Sequence, residues 1–184
     1  MSGTPAHVPH VYVHVPFCAQ KCPYCDFNSH AGREREAGGY VEALLAEARA
    51  LAEGCEPRTV FVGGGTPTHL EPPLLARMLG GLATTLGQAR LEELTVEANP
   101  GSLTREKVDV LAATGVTRVS LGAQSFAAAT LGRLGRWHQP EDTRRSVDLL
   151  RAGGIRRISV DLILAVPGQS LEEQAADVDQ ALAL

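Results

Sequence analysis

The sequence predicts an α/β fold, a parallel (β/α) barrel of TIM type that is only partly built. Three observations lead there. Short apolar runs alternate with helix-patterned segments along the 184 residues, the order expected of repeated strand–helix units. Each apolar run is followed by a turn rich in Gly, Pro or polar residues. Four of the five runs also divide into an apolar and a polar set at alternate positions, as the two faces of a strand require.

Taken in order, the first strand is VYVHV, residues 11–15, with Val11, Val13 and Val15 opposing Tyr12 and His14. A helix is predicted over 36–53. The second strand, TVFV at 59–62, shows no clear split and leads through GGGTPTHL to a helix over 70–86. The third, LTVEA at 94–98, sets Leu94, Val96 and Ala98 against Thr95, Glu97 and Asn99. Its helix, 104–114, has Thr104 as a cap and stops at Gly115. The fourth strand starts as RVSL at 118–121 and opposes Val119, Leu121 and Ala123 to Arg118, Ser120, Gly122 and Gln124. Helices over 126–132 and 141–152 follow; Pro140 suits a first turn and Gly153–Gly154 a stop. The fifth strand, ISVDLIL at 158–164, sets Ile158, Val160 and Leu162 against Ser159, Asp161 and Ile163. Ser170 and Glu173 form a capping box opening a last helix over 171–183.

The apolar faces should pack on the helices. The polar faces should look into a shared interior, which in a purely structural barrel would be filled with branched apolar side chains. Tyr, His, Glu, Gln and Asp there predict a ligand cavity. Five strands do not close a barrel, so residues 1–184 are expected to form the amino-terminal part of a larger core domain. Composition is that of an ordinary globular protein, 44% hydrophobic and 21% charged with net charge -4. That balance argues against nucleic-acid or anionic-membrane partners. No apolar run reaches the ~18 residues of a membrane span, and MSGTPAHVPH is no signal peptide. A cytoplasmic location is expected, where clustered thiols bind metal or do redox work more often than they form disulfides.

Three of the four cysteines, Cys18, Cys22 and Cys25, stand in the spacing C-x3-C-x2-C on the turn after the first strand. Structural zinc usually takes four protein ligands, and a cubane iron–sulfur cluster usually four cysteines. Three thiolates would leave one iron open. Cys55 ends the first helix, so it should lie at the opposite end of the sheet as a small, partly buried residue. Zinc held by the three cysteines and His30 is the competing metal reading. Phe17, Tyr24 and Phe27 flank the loop, as shields or as ordinary packing.

With YVHVPFCAQKCPYCDF the sequence resembles the radical S-adenosylmethionine (SAM) superfamily. More narrowly, VFVGGGTPTHL, TVEANPGSL, VSLGAQSF, LGRLGRWH and VDLILAVPGQ resemble the oxygen-independent coproporphyrinogen oxidase group and its haem-chaperone relatives. The resemblance implies a radical SAM core fold and a [4Fe–4S] cluster on Cys18, Cys22 and Cys25. SAM would chelate the open iron, and an electron from the cluster would cleave it to methionine and a 5′-deoxyadenosyl radical. It also implies SAM contacts from Gly64, Gly65 and Thr66 in GGGTP, where close amides suit a carboxylate. Tyr12, Glu97, Gln124, Arg136 and Asp161 carry the remaining contacts by resemblance. Each also has a plain alternative as a packed or solvated side chain; for Asp161, within ISVDLIL, a buried carboxylate would need a partner. Trp137 and His138 receive no role.

One departure separates the branches. The oxidase branch typically has a further cysteine two positions after the third; here that position is Phe27, in CDFNSH. The phenylalanine resembles the haem-chaperone branch, called HemW-like, whose members bind haem and pass it to acceptor proteins. The alternatives are oxidative decarboxylation of coproporphyrinogen, with Gln124, Arg136 and Asp161 serving one of two SAM molecules, and a zinc-stabilised binding module without SAM. The expected partner is haem or a porphyrin. His7, His10, His14 and His30 are histidines only; no haem ligand, acceptor protein or electron donor is assigned.

Overall fold

The computed structural model describes residues 8–52, 55–87 and 90–184; His7 and the predicted helix end at 53 lie outside them. Five parallel strands form one sheet, each joined to the next by at least one helix on the same side. β1 is His10–Val15. After it come two short strands, β2 (Phe17–Cys18) and β3 (His30–Ala31), which pair with each other. The chain continues through α1 (Ala37–Leu51), β4 (Thr59–Gly64), α2 (Pro72–Leu86), β5 (Glu93–Ala98) and α3 (Arg105–Ala113). It then runs through β6 (Arg118–Gln124), α4 (Ala128–Arg133), α5 (Pro140–Ala152), β7 (Arg157–Leu162) and α6 (Leu171–Leu182). The sheet order is β1-β4-β5-β6-β7, the partial barrel that the alternation predicts.

The strand faces sort by chemistry. Val13, Val15, Val60, Val62, Leu94, Val96, Val119 and Leu121 are buried beneath the helices and join Leu45, Leu75, Met78, Leu79, Leu111 and Leu150 in one core. Each buried aliphatic side chain contributes about 1.5–3 kcal/mol by leaving water. β4, ambiguous in sequence, keeps the same parity: Val60 and Val62 point to the core, while Phe61 stacks on Tyr12 at 6.1 Å. On the opposite face stand Glu93, Thr95, Glu97, Arg118, Ser120, Ser159 and Asp161. At its floor Glu93 accepts from Thr95 Oγ1 (2.8 Å), Arg118 (3.4 Å) and Arg157 (2.6 Å). β7 is the edge, and its apolar residues Ile158, Val160 and Leu162 are only partly covered.

Helix ends follow the local chemistry. Thr104 Oγ1 accepts from the Lys107 amide at 3.3 Å. Ser170 and Glu173 cap each other's amides at 3.1 and 3.0 Å. β2, β3 and a second reciprocal cap, Gln139 with Asp142 at α5, carried no hydrophobic period and were invisible to pattern reading. Among the described residues, no helix is long and apolar enough to cross a membrane.

Candidate functional site

Parallel strands put all their carboxyl ends at one rim, and the loops leaving that rim enclose a cavity of about 370 Å³. Its first wall is the cysteine loop. The loop is tied down by its own backbone: the His30 amide donates to Pro16 O at 2.7 Å and the Cys25 amide to Cys22 O at 3.0 Å. His14 Nε2 bonds Asn28 O at 2.7 Å. With that nitrogen donating, His14 Nδ1 accepts from the Tyr12 hydroxyl at 3.0 Å. Lys21 donates to Phe27 O across the loop. Cys18, Cys22 and Cys25 all line the cavity, and all are free thiols. Among the described residues, no group of three or more His, Cys, Asp or Glu stands close enough to hold a metal ion.

The second wall is GGGTP at the end of β4. A Cβ on Gly65 would lie 2.6 Å from Phe17 O and 3.0 Å from Cys18 Sγ, so only glycine lets this turn lie against the cysteine loop. Gly65 and Thr66 donate their amides to Val15 O and Phe17 O, both at 2.7 Å. Thr66 Oγ1 lies 3.7 Å from Cys18 Sγ. Gly64, at φ 115°, directs its amide to Glu97 Oε2 at 3.0 Å.

The third wall is the polar face of β5, β6 and β7. Burial pushes the Glu97 carboxyl above its ordinary value; the Gly64 amide pulls it back and nearby Asp161 adds to the rise. Asp161 is raised too, first by desolvation, against the Ser120 hydroxyl that donates at 2.9 Å and the nearby Arg118 charge. Asp161 is an exposed residue on the edge strand, and the partner that a carboxylate within ISVDLIL requires is the Ser120 hydroxyl.

Arg136 closes the fourth side. Its Nη2 donates to Gly122 O at 3.0 Å, and its Nη1 lies 3.7 Å from Cys22 Sγ and 3.4 Å from Tyr24 Oη. Its buried Nε has no partner among the described residues. Gln124, beside it, adopts φ 68°, a left-handed backbone that side chains other than glycine rarely take.

Of the predicted site residues, the cavity gathers Cys18, Cys22, Cys25, Gly64, Gly65, Thr66, Glu97, Gln124, Arg136 and Asp161. Tyr12 stays outside the lining, 58% exposed, and reaches the loop only through His14. His30, the fourth ligand of the zinc reading, is exposed in β3 and is not among the residues lining the cavity. Cys55 precedes β4, at the far end of the sheet from the cysteine loop. Trp137, given no role in the sequence, lines the cavity. Its indole packs on Gly101 in NPGS, where a Cβ would strike it at 2.0 Å, a contact with no local sequence signal. His138 is buried at 1% exposure and bonds Ala123 O at 3.0 Å.

Known proteins are similar to this chain in sequence and fold. The radical SAM superfamily model matches residues 12–181. The chain is 43% identical over 178 residues to the haem chaperone HemW of Escherichia coli K12, covering 95% of this chain and 47% of that protein. With HemW of Lactococcus lactis it shares 42% over 173 residues, 94% and 45% of the two chains. The solved structure of E. coli coproporphyrinogen III oxidase (HemN), a radical SAM enzyme, superposes with TM-score 0.84 at 28% identity, over 96% of this chain and 43% of that one. The chain thus spans about half the length of the curated relatives it matches. A family match over nearly the whole chain, on a parallel sheet whose rim gathers the C-x3-C-x2-C loop and GGGTP, establishes that this chain belongs to the radical SAM superfamily.

Proposed function

We propose that the cavity binds a [4Fe–4S] cluster through Cys18, Cys22 and Cys25, with SAM at the iron that no thiolate holds, in a cytoplasmic haem chaperone. Three features support the cofactors. All three thiols face one cavity with Thr66, Gly65 lets the GGGTP turn lie against Cys18 where a Cβ would clash, and Arg136 Nε is a buried donor without a partner among the described residues. When bound, such a cluster supplies an electron that cleaves the sulfonium of SAM.

The chain's own residues bind and orient. The Gly64–Thr66 turn fixes the side of the cavity next to Cys18; its three amides are already taken by Glu97 Oε2, Val15 O and Phe17 O, so it shapes the wall rather than donating to a ligand carboxylate as its sequence suggested. Glu97 and Asp161, both raised in pKa, offer carboxylates to the ligand's hydroxyl and ammonium donors. Arg136 lies against Cys22 and lends positive charge near thiolates, which stabilises them. Phe27 and Trp137 place apolar surface at the mouth and limit water.

The observation that carries the chaperone reading is the 43% identity to HemW, together with Phe27 where the oxidase branch has its further cysteine. The shared fold with HemN keeps coproporphyrinogen oxidation as the second reading. The test supplies the full-length protein, anaerobically reconstituted, with SAM, a reductant and coproporphyrinogen III, and separately with haem. Stoichiometric haem binding without decarboxylated product is expected. Formation of protoporphyrinogen would make the protein an oxidase.

A further inference from the structure

The strained backbone of Gln124 needs something to hold it. A left-handed, non-glycine residue costs on the order of 1–3 kcal/mol and persists only where its surroundings enforce it. Here the ladder between β6 and β7 shifts register between Leu121 and Gln124, and each peptide through the shift is anchored from another element. Arg136 holds Gly122 O, and His138 Nε2 holds Ala123 O at 3.0 Å. The Ile163 amide holds Gln124 O at 2.9 Å.

The residues that follow are held by a group in α6. Asp177 is 2% exposed, and its carboxylate takes three neutral donors. Phe126 N donates to Oδ1 at 2.6 Å, Ser125 Oγ to Oδ2 at 2.7 Å and Gln169 Nε2 to Oδ2 at 3.0 Å. Two sequence motifs, AQSF and VPGQ, therefore meet on one buried side chain. A buried charge is costly to place, and three donors from two separate loops fix it in one geometry. Asparagine could not copy this, having a single acceptor oxygen.

We infer that Asp177 is a positioning residue for the cofactor cavity: it pins Ser125 and Phe126 from α6 and so holds Gln124 in the conformation that aims its amide at SAM. This rests on the SAM reading above. Asp177 itself is not among the residues lining the cavity, so its effect must pass through the bulge.

The test is a double-mutant cycle on anaerobically reconstituted protein, with SAM affinity measured by calorimetry at matched iron content. Asp177→Asn should weaken SAM binding about tenfold, equivalent to 1.4 kcal/mol, and Gln124→Ala by a similar factor. The double variant should be no weaker than Gln124→Ala alone, because the lever has lost its load. Ser125→Ala, which removes one donor and keeps Asp177, should show a smaller loss in the same direction and serves if Asp177→Asn fails to fold. Losses that multiply in the double variant would mean Asp177 acts only on general stability and would overturn the inference. So would a Ser125→Ala or Asp177→Asn protein with unchanged affinity. Wild-type protein that holds its cluster yet binds no SAM would instead overturn the reading of the cavity, and the inference with it.

Discussion

Glu97 shows how one residue joins fold to chemistry. Alternation along LTVEA puts it on the polar face, and the Gly64 amide at 3.0 Å ties it to the GGGTP turn. Burial and Asp161 raise its pKa, so folding makes the carboxyl harder to ionise than it is in the unfolded chain. Stability from this group is therefore full below the unfolded carboxyl range and lost as pH rises through the folded value. Glu97→Gln should leave the cofactor-free protein as stable or more stable near neutral pH, by up to about 1 kcal/mol, while weakening SAM binding at least tenfold. Urea unfolding and calorimetry read the two separately; a large loss of stability with unchanged affinity would make Glu97 a structural residue. At this scale most of the cavity was legible, because parity depends on side-chain alternation alone. Glu97, Gln124 and Asp161 follow from it. Tyr12 obeys the same parity yet sits lower on the strand, against Phe61, and alternation says nothing about height along a strand. Trp137 escaped because its place is set by a contact with Gly101, some 36 residues earlier in the chain.

At the scale of elements, the segment after α4 is a latch. Arg136, Trp137 and His138 lie in sequence but serve three surfaces: the cysteine loop, the cavity mouth and β6. His138 is the buried end of the latch. Burial, with the Arg136 charge beside it, lowers its pKa to about 4 from 6.5. The unfolded chain thus binds the proton first, so this contribution is full above pH 6.5 and lost as pH falls toward about 4. The whole window amounts to about 3 kcal/mol. His138→Gln keeps a donor for Ala123 O but cannot titrate. Its unfolding midpoint in urea should vary less between these pH values than that of the wild type; equal slopes would show that His138 is not the group responsible. Helix positions were readable from period and caps, with Thr104 and the Ser170–Glu173 box placed correctly. β2 and β3 were not, since two-residue strands have no period to detect. Their pairing comes from Pro16 O and His30 rather than from hydrophobic pattern.

Across the whole molecule, two opposed surfaces of one sheet do different work. The helix-covered face supplies the apolar core, and the bare face carries polar groups from its floor at Glu93 to its rim at Glu97, Gln124 and Asp161. Chain order alone gives the parallel sheet, and the parallel sheet brings every functional loop to one rim. The left-handed Gln124 and its support by Asp177 were hidden, since both depend on a register shift that no local sequence pattern announces.

Everything proposed for the cavity rests on three thiols holding a cluster with an iron kept for SAM. The most direct measurement is electron paramagnetic resonance of the anaerobically reconstituted, reduced protein before and after SAM, alongside iron and sulfide content. About four iron and four sulfide per chain are expected, with a signal that changes on adding SAM, loss of the cluster in Cys18→Ala, Cys22→Ala or Cys25→Ala, and its retention in Cys55→Ala. A cluster that survives loss of any of the three, or a signal that SAM leaves untouched, would contradict that assignment.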